Sequence, residues 1–431
     1  MLLWRAVFVG VLATLVAVGL AAAAPGTVDT TFSQDGWLRS RDFFGDFQEY
    51  MPKGAEDIAV QRDGKIVATG EIESGYESPF GAFRYTAAGD LDRTFGEGGW
   101  VDTDVGDLGH AHAVAIQRDG KIVLAGDNFE QIPRCIVLVR YLPDGLLDKG
   151  FGRSGIVRTC RRSLSPLGTD VAVQPDGKIV TLALSFHDTL RRQYYDLAVL
   201  RYRADGGLDR SFSHDGIGIV LGFGQWPQAL AMQANGSIVV AGSEYGANLT
   251  DNFVVARLRP NGASDRAFGR GGLRKVDFAR RDDHADAVAL DGRGRIVVAG
   301  QSSVGQLPRD RRLALVRLRA DGNVDRRFGR RLTKFGPHGC GARAVAIQRD
   351  GRVVVAGVAY DDPSWLGGAW VVARYEPSGR IDRSFGQRGF ILGDFGTGFD
   401  WAGSIALQPD GKIVVGGQVY EDQAVARYLP R

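Results

Sequence analysis

Residues Ala113–Gly126 read AVAIQRDGKIVLAG. Two apolar runs flank Arg-Asp-Gly-Lys, and Asp-Gly in that setting is the strongest short signal for a tight β-hairpin. A third apolar run follows at Cys135–Tyr141 (CIVLVRY), and then Asp148–Gly152 (DKGFG). This succession of marks returns along the chain. The hairpin glycine recurs at Gly64, Gly120, Gly177, Gly236, Gly294, Gly351 and Gly411, 56 to 60 residues apart. The phenylalanine of D-x-x-F recurs at Phe32, Phe95, Phe151, Phe212, Phe268, Phe328 and Phe385, 56 to 63 residues apart. Self-similarity at such a period predicts a repeat architecture in which each unit buries its apolar faces against its neighbours.

Within the second unit the pattern predicts four short strands: His112–Gln117 (A), Lys121–Gly126 (B), Cys135–Tyr141 (C) and Gly155–Cys160 (D). Each is rich in Val, Ile or Leu and bounded by Gly, Asp or Pro. Two units vary the hairpin, with Asn235-Gly236 in one and Arg293-Gly294 in another. Asn-Gly turns as readily as Asp-Gly, and one variant turn leaves the fold intact. Four antiparallel strands in each of seven units predict an all-β, single-domain, seven-bladed β-propeller over residues 26–431. The first D-x-x-F (Asp29–Phe32) and a strand at Gly36–Arg39 precede the first hairpin, while the last unit stops at Arg427-Tyr428. Open ends would expose unpaired strand edges. The N-terminal strand is therefore expected to close the ring as the outermost strand of the last blade.

The paired marks D-G-K-I-V and D-x-x-F-G resemble the delta-sixty repeat over residues 26–431. That propeller-type repeat is found mainly in secreted or envelope bacterial proteins. The resemblance implies the seven-bladed fold and brings no enzyme activity with it.

Residues 1–24 have the layout of a secretory signal peptide: Arg5, an apolar core Ala6–Leu20, and small residues Ala21–Ala24. Pro25 disfavours cleavage directly after Ala24, which leaves Ala23 best placed. Retained instead, Ala6–Ala24 would be 19 residues and barely long enough to span a bilayer. Export to the cell envelope or the medium is expected, with no membrane insertion after cleavage. The net charge of +3 in 431 residues offers no basic stripe for nucleic acid. Arginine outnumbers lysine 45 to 8, which reads as coding bias.

Three cysteines in an exported chain invite pairing. If Tyr141 lies near Gly155 in the antiparallel C–D pair, Cys135 lies near Cys160. Their Cα atoms would be about 4.5–5.5 Å apart, within disulfide reach. A Cys135–Cys160 bond is expected, with Cys340 left over in a loop.

An Arg recurs in strand C (Arg84, Arg140, Arg201, Arg257, Arg317, Arg374, Arg427), and an Asp opens each D-x-x-F (Asp29, Asp92, Asp148, Asp209, Asp265, Asp325, Asp382). A residue needed once for chemistry is not needed in every blade. These pairs are expected to tie down the C–D connection, with the Phe plugging the space between blades. Ala59, Ala115, Ala172, Ala231, Ala289, Ala346 and Ala406 share one register of strand A, where strands crowd the axis.

The A–B turns and C–D connections stay alike between units, on one face of the disc. The B–C and D–A connections vary, on the opposite face, and such variation marks a binding face. Ahead of strand A one register reads Glu56, His112, Thr169, Gln228, Asp286, Arg343 and Gly403. Two residues earlier it reads Gly54, His110, Leu167, Trp226, His284, Gly341 and Trp401. Candidate ligand-binding residues are Glu56, His110, His112, Trp226, Gln228, His284, Asp286, Arg343 and Trp401. The tryptophans would stack on a ligand and the charged groups would orient it. Trp365, Tyr245 and Tyr360 are further exposed aromatics, and His110, His112, His187, His284 and His338 are placed in variable-face loops.

The expected function is recognition of an extracellular protein, peptide or carbohydrate by a monomer. The alternative is a lyase or hydrolase at the channel mouth, using His110, His112, Asp286 or Glu56. No H-E-x-x-H, G-x-S-x-G or Cys/His cluster supports it, and His110 and His284 fall on blades across the ring. Asp102–Asp107 lacks the Gly and Glu of a calcium loop. No catalytic residue, metal or cofactor is assigned. A structural role in the cell envelope is the third reading.

Overall fold

The computed structural model describes residue 24 and residues 26–430, apart from 45–50, 74–78, 107–108, 129–133, 166–169, 190–191, 224–225, 246–249, 279–280, 304–310, 361–366, 394–399 and 421. Residues 1–23 of the proposed leader (1–24) lie outside them. Seven antiparallel sheets stand in a ring, and the innermost strand of each touches the innermost strand of the next. In blade 2 the strands are Gly109–Ile116, Ile122–Asn128, Cys135–Tyr141 and Ile156–Cys160, in that order across the sheet. Blade 3 departs from the pattern. Its inner strand is in two pieces, Leu164–Ser165 and Val171–Val173, which both pair with Ile179–Thr189. No helix among the described residues is long and apolar enough to cross a membrane.

The ring closes through the N-terminal segment. Trp37–Arg39 pairs antiparallel with Asp422–Tyr428, Trp37 facing Ala426 and Arg39 facing Ala424. The Asp29 amide donates to the Arg427 carbonyl at 2.9 Å. Blade 7 is thereby completed from both ends of the described chain, and the propeller has seven four-stranded blades.

The recurring Arg does more than hold its own connection. In blade 1, Arg84 Nε donates to Asp92 Oδ2 at 2.7 Å. Its Nη1 then donates to the Pro143 carbonyl of blade 2. The same reach joins Arg140 to Ala204, Arg201 to Pro260, Arg257 to Ala320, Arg317 to Pro377, Arg374 to Pro430 and Arg427 to Ala87. Each guanidinium covers the D-x-x-F ring of its repeat at 4.2 to 4.8 Å from the centroid. All seven of those Phe are fully buried. The clasp therefore welds blade to blade around the whole circle. The variant turn at Arg293-Gly294 is compensated locally, since the Asp291 carboxylate accepts from the amides of Arg293 and Arg295, each at 2.9 Å.

Apolar clusters form between blades rather than within them. Val297, Leu315 and Phe328 of blade 5 pack with Val353, Val371 and Tyr375 of blade 6. Cys135 and Cys160 face each other across strands C and D of blade 2, Cα to Cα 4.3 Å, and their sulfurs are bonded. Cys340 is a buried thiol that opens strand A of blade 6 instead of lying in a loop. Strand pairing extends further toward the variable face there than the apolar pattern indicates.

Candidate functional site

Strand A is interrupted at one place in blade after blade. Its pairing with strand B skips a residue at His112, Gln228, Asp286, Arg343 and Gly403. Blade 1 has a wider irregularity between Lys53 and Asp57, which contains Glu56. A β-bulge leaves one residue unpaired and re-aims its side chain. The cause lies across the pair, in the glycine near the end of strand B. A Cβ on Gly126 would sit 1.8 Å from the His110 carbonyl oxygen, and one on Gly357 would sit 2.0 Å from that of Gly341. Only a residue without a side chain admits the bulge. The repeated Ala-Gly of strand B was the overlooked signal for it.

The bulge residues converge. Glu56, His112, Gln228, Asp286, Arg343 and Gly403 line one cavity of about 520 Å³ at the axis. Thr169, in the same register, lies outside the described residues. Trp401 also borders this cavity, but it is only 8% exposed. The Arg343 guanidinium lies 4.8 Å over its ring, and its Nε1 donates to Gln418 Oε1 at 3.1 Å. Its face is covered by Arg343 rather than free to stack on a ligand.

The earlier register behaves differently, because it falls in paired backbone ahead of the bulge. His110 stacks on His112 at 6.1 Å between centroids, and His284 Nε2 lies 3.3 Å from Asp251 Oδ2. Both belong to strands (Gly109–Ile116 and Asp282–Leu290) and not to loops. Trp226 opens strand A of blade 4, His187 lies two residues before the end of strand B of blade 3, and Tyr245 ends strand B of blade 4. The side chains of these three lie outside the described residues, as do Leu167 and Trp365. Tyr360, expected as an exposed outer aromatic, is 4% exposed and faces the channel.

Two unlike walls result. On the side of blades 5 to 7, Arg343 is exposed, and Arg311 donates to Gln301 Oε1 at 3.3 Å and Tyr360 Oη at 3.4 Å. Burial pushes the Asp286 carboxyl between them up to about 7, against the pull of Arg343 and Arg311. On the other side stand Glu56, His112, Asp57 and Asp170. Asp57 Oδ2 accepts from the Val114 amide of blade 2 at 2.9 Å, and Asp170 Oδ2 from the Leu230 amide of blade 4 at 2.6 Å. These carboxyls stitch neighbouring inner strands together while bordering the cavity. Burial pushes Asp57 up to about 8, helped by the charges of Asp170 and Glu56 and opposed by the Val114 bond. Burial also raises Asp170, to about 7. Neither was a candidate from sequence, because the position after the bulge is Ala in most blades and attracts no notice. No cluster of three or more metal-ligating side chains occurs among the described residues.

A sequence profile described as "Domain of unknown function (DUF5122) beta-propeller" matches residues 61–95, 117–151, 174–212, 233–268, 294–328, 348–385 and 408–430, more than half of the chain. The chain belongs to this DUF5122 β-propeller family. Six of the matched segments end on a D-x-x-F phenylalanine; the seventh stops short because its counterpart, Phe32, comes from the N-terminal segment. No curated protein matches in sequence. Among solved structures, the polysaccharide lyase Uly1 aligns with a TM-score of 0.52 at 11% identity, over 96% of this chain and 98% of its own. Puromycin hydrolase aligns at 0.49 and 13% identity, over 86% of this chain and 50% of the hydrolase. The WD40 β-propeller domain of Doa1 aligns at 0.44 and 11% identity, over 89% of this chain and 98% of that domain. At these identities the likeness is one of fold.

Proposed function

We propose that this DUF5122 propeller is an exported recognition module, acting as a monomer, whose ligand enters the mouth of the central channel. The ligand class that suits the lining is a glycan or peptide segment bearing a negative group. The carrying observation is that chemically different bulge residues meet in one cavity while the hairpin glycine, the strand-C Arg and the D-x-x-F recur in every unit. Small-ligand sites occupy about 300–1,000 Å³, and the channel cavity of about 520 Å³ falls within that range. Arg343 supplies an exposed cation, and Gln228, His112 and Asp286 supply hydrogen-bonding groups. Export rests on the signal-like residues 1–24 and places the ligand in the envelope or outside the cell. A glycan and peptide binding screen with the chain lacking residues 1–24 tests this, using Arg343→Ala as the reporter. Affinity should fall about tenfold or more, the size of one lost charge-assisted contact. Unaltered binding in a folded Arg343→Ala protein would sink the assignment.

One observation favours a second reading, acid–base chemistry on the bound ligand. Asp57 and Asp170 hold carboxyls raised toward neutrality in a cavity that also contains His112, and such groups mark reactive sites. Asp170→Asn would then abolish turnover of a bound glycan and spare its binding. Recovery of every bound glycan unchanged from the wild-type protein removes this reading.

A further inference from the structure

The near-neutral total conceals a charged sector. Residues 257–352 hold 23 Lys and Arg against 10 Asp and Glu, a local excess of 13 positive charges in a chain whose net charge is +3. These residues run from strand C of blade 4 to the A–B turn of blade 6. On the circumference, between the outer strand of blade 4 (Leu273–Val276) and that of blade 5 (Arg330–Thr333), they form a groove of about 930 Å³. Arg274, Lys275, Arg319, Arg326, Arg327 and Arg330 line it, against two acids, Asp277 and Asp325. Asp325 is already committed to Arg317 at 2.8 Å. Arg330 spans the groove, donating to the Asp277 carbonyl. Arg326 and Arg327 are exposed, and their guanidinium groups meet no carboxylate among the described residues. Elsewhere on the ring the same D-x-x-F position carries at most one basic residue, as in Arg-Thr at 93–94 and Arg-Ser at 210–211.

We infer that this groove binds an acidic polysaccharide, a chain of carboxylate or sulfate groups laid along the edge of blades 4 and 5. Charge complementarity supplies the attraction, and the forked guanidinium matches carboxylate and sulfate oxygens in a two-point fashion. A single anionic chain fits a groove between blades, where a flat bilayer would meet only its rims. No aromatic side chain among the described residues lines the groove, which gives single-stranded nucleic acid no stacking platform there. The site is independent of the channel mouth and stands whether or not the channel binds a ligand.

The test is titration of the chain lacking residues 1–24 with polygalacturonate, dextran sulfate, neutral dextran and a 20-base-pair DNA duplex, at about 50 mM salt. Either of the first two should bind, and neutral dextran should not. Arg326→Gln with Arg327→Gln should weaken that binding about tenfold or more, and the double Glu variant more still, since each lost contact with an anion costs roughly a factor of five. Binding should fade by about 0.5 M salt, where screening shortens the reach of surface charge. Circular-dichroism melting checks that both double variants fold, and the Gln pair preserves side-chain length. Arg210→Gln, at the equivalent exposed D-x-x-F position of blade 3, should leave the affinity unchanged. The inference is overturned if neither acidic polymer binds, if the duplex binds more tightly than both, if the Gln pair binds like wild type, or if Arg210→Gln weakens binding as much as the Gln pair does.

Discussion

Substituting Asp29 by Ala tests whether the ring is held shut by its N-terminal segment. The carboxylate is 4% exposed and accepts from Arg427 Nε at 2.9 Å, the Thr31 hydroxyl at 2.6 Å and the Thr31 amide at 3.1 Å, with Lys412 Nζ also at 3.1 Å. Arg427, itself 4% exposed, would keep its position over Phe32 and its bond to Ala87 but lose its counter-charge. Leaving a buried charge without its partner costs about 3–5 kcal/mol. With an unfolding entropy of about 2.1 cal/mol/K per residue, a chain of roughly 400 residues converts about 4 kcal/mol into a Tm loss of about 5 °C. Asp209→Ala is the matched control, because Asp209 and Arg201 form the same clasp within one continuous stretch. Urea unfolding and hydrogen exchange should show similar global losses for both, with Asp29→Ala alone exposing the amides of residues 37–39 and 422–428. A loss under about 1 kcal/mol for Asp29→Ala, beside several for Asp209→Ala, would refute closure by this segment.

The remaining predictions follow from named groups. Burial alone would raise the seven clasp carboxyls, but hydrogen bonds and the facing Arg and Lys charges outweigh it, so each lies below its ordinary value of 3.8. Their contribution is present above about pH 4 and lost as pH falls through the folded values, so Tm should drop steeply in that acid range. Asp57 has the opposite sign. With its folded value raised to about 8, it weakens the fold as pH rises from about 4 to 8. Asp57→Asn should therefore raise Tm at pH 8 and leave it unaltered at pH 3, by calorimetry. Gly357→Ala forces a Cβ into the Gly341 carbonyl and should cost about 2 kcal/mol or more in urea unfolding, with ligand affinity falling as Arg343 is re-aimed. Replacing Cys135 and Cys160 by Ser should remove about 3 kcal/mol of stability.

Seven units, four strands each and closure by the N-terminal strand were legible because they rest on local chemistry repeated in register: Asp-Gly turns, alternating apolar runs and D-x-x-F. The Cys135–Cys160 contact was legible for the same reason, since it follows from antiparallel pairing within one blade. The channel register was half legible. Its positions could be read as variable, but the bulges at His112, Asp286 and Arg343 depend on a close approach of strand-A backbone to a glycine across the pair in strand B. That approach has no signature at the bulge residue itself. Tyr360 and Trp401 were misjudged because their exposure depends on which neighbours fold over them, and Arg343 and Arg311 come from other stretches of chain. Asp57 and Asp170 were invisible because their role as bridges between inner strands requires adjacent blades. The basic sector was concealed by counting charge over the whole chain instead of by blade.

The bulge also explains how a repeat this regular can carry a site at all. A ring of identical units offers any ligand seven equal places, whereas recognition needs one asymmetric place. Here the scaffold terms, the Arg–Asp–Phe clasp and the small Ala of strand A, lie away from the bulge and are repeated without change. The bulge residue itself makes no ladder hydrogen bond, so replacing Glu by His, Gln, Asp or Arg there leaves the pairing intact. Variation at that one register is decoupled from stability, and that decoupling lets the channel mouth diversify while the ring stays closed. The exceptions are informative. Asp57 and Asp170 bond the next blade from the position just after the bulge, so replacing either should change stability. Glu56→Gln, by contrast, should leave Tm within about 1 °C of wild type, since Glu56 is exposed and holds no neighbouring strand. A large Tm shift from that substitution would mean that the bulge register carries structural load and that its variety does not mark a recognition surface.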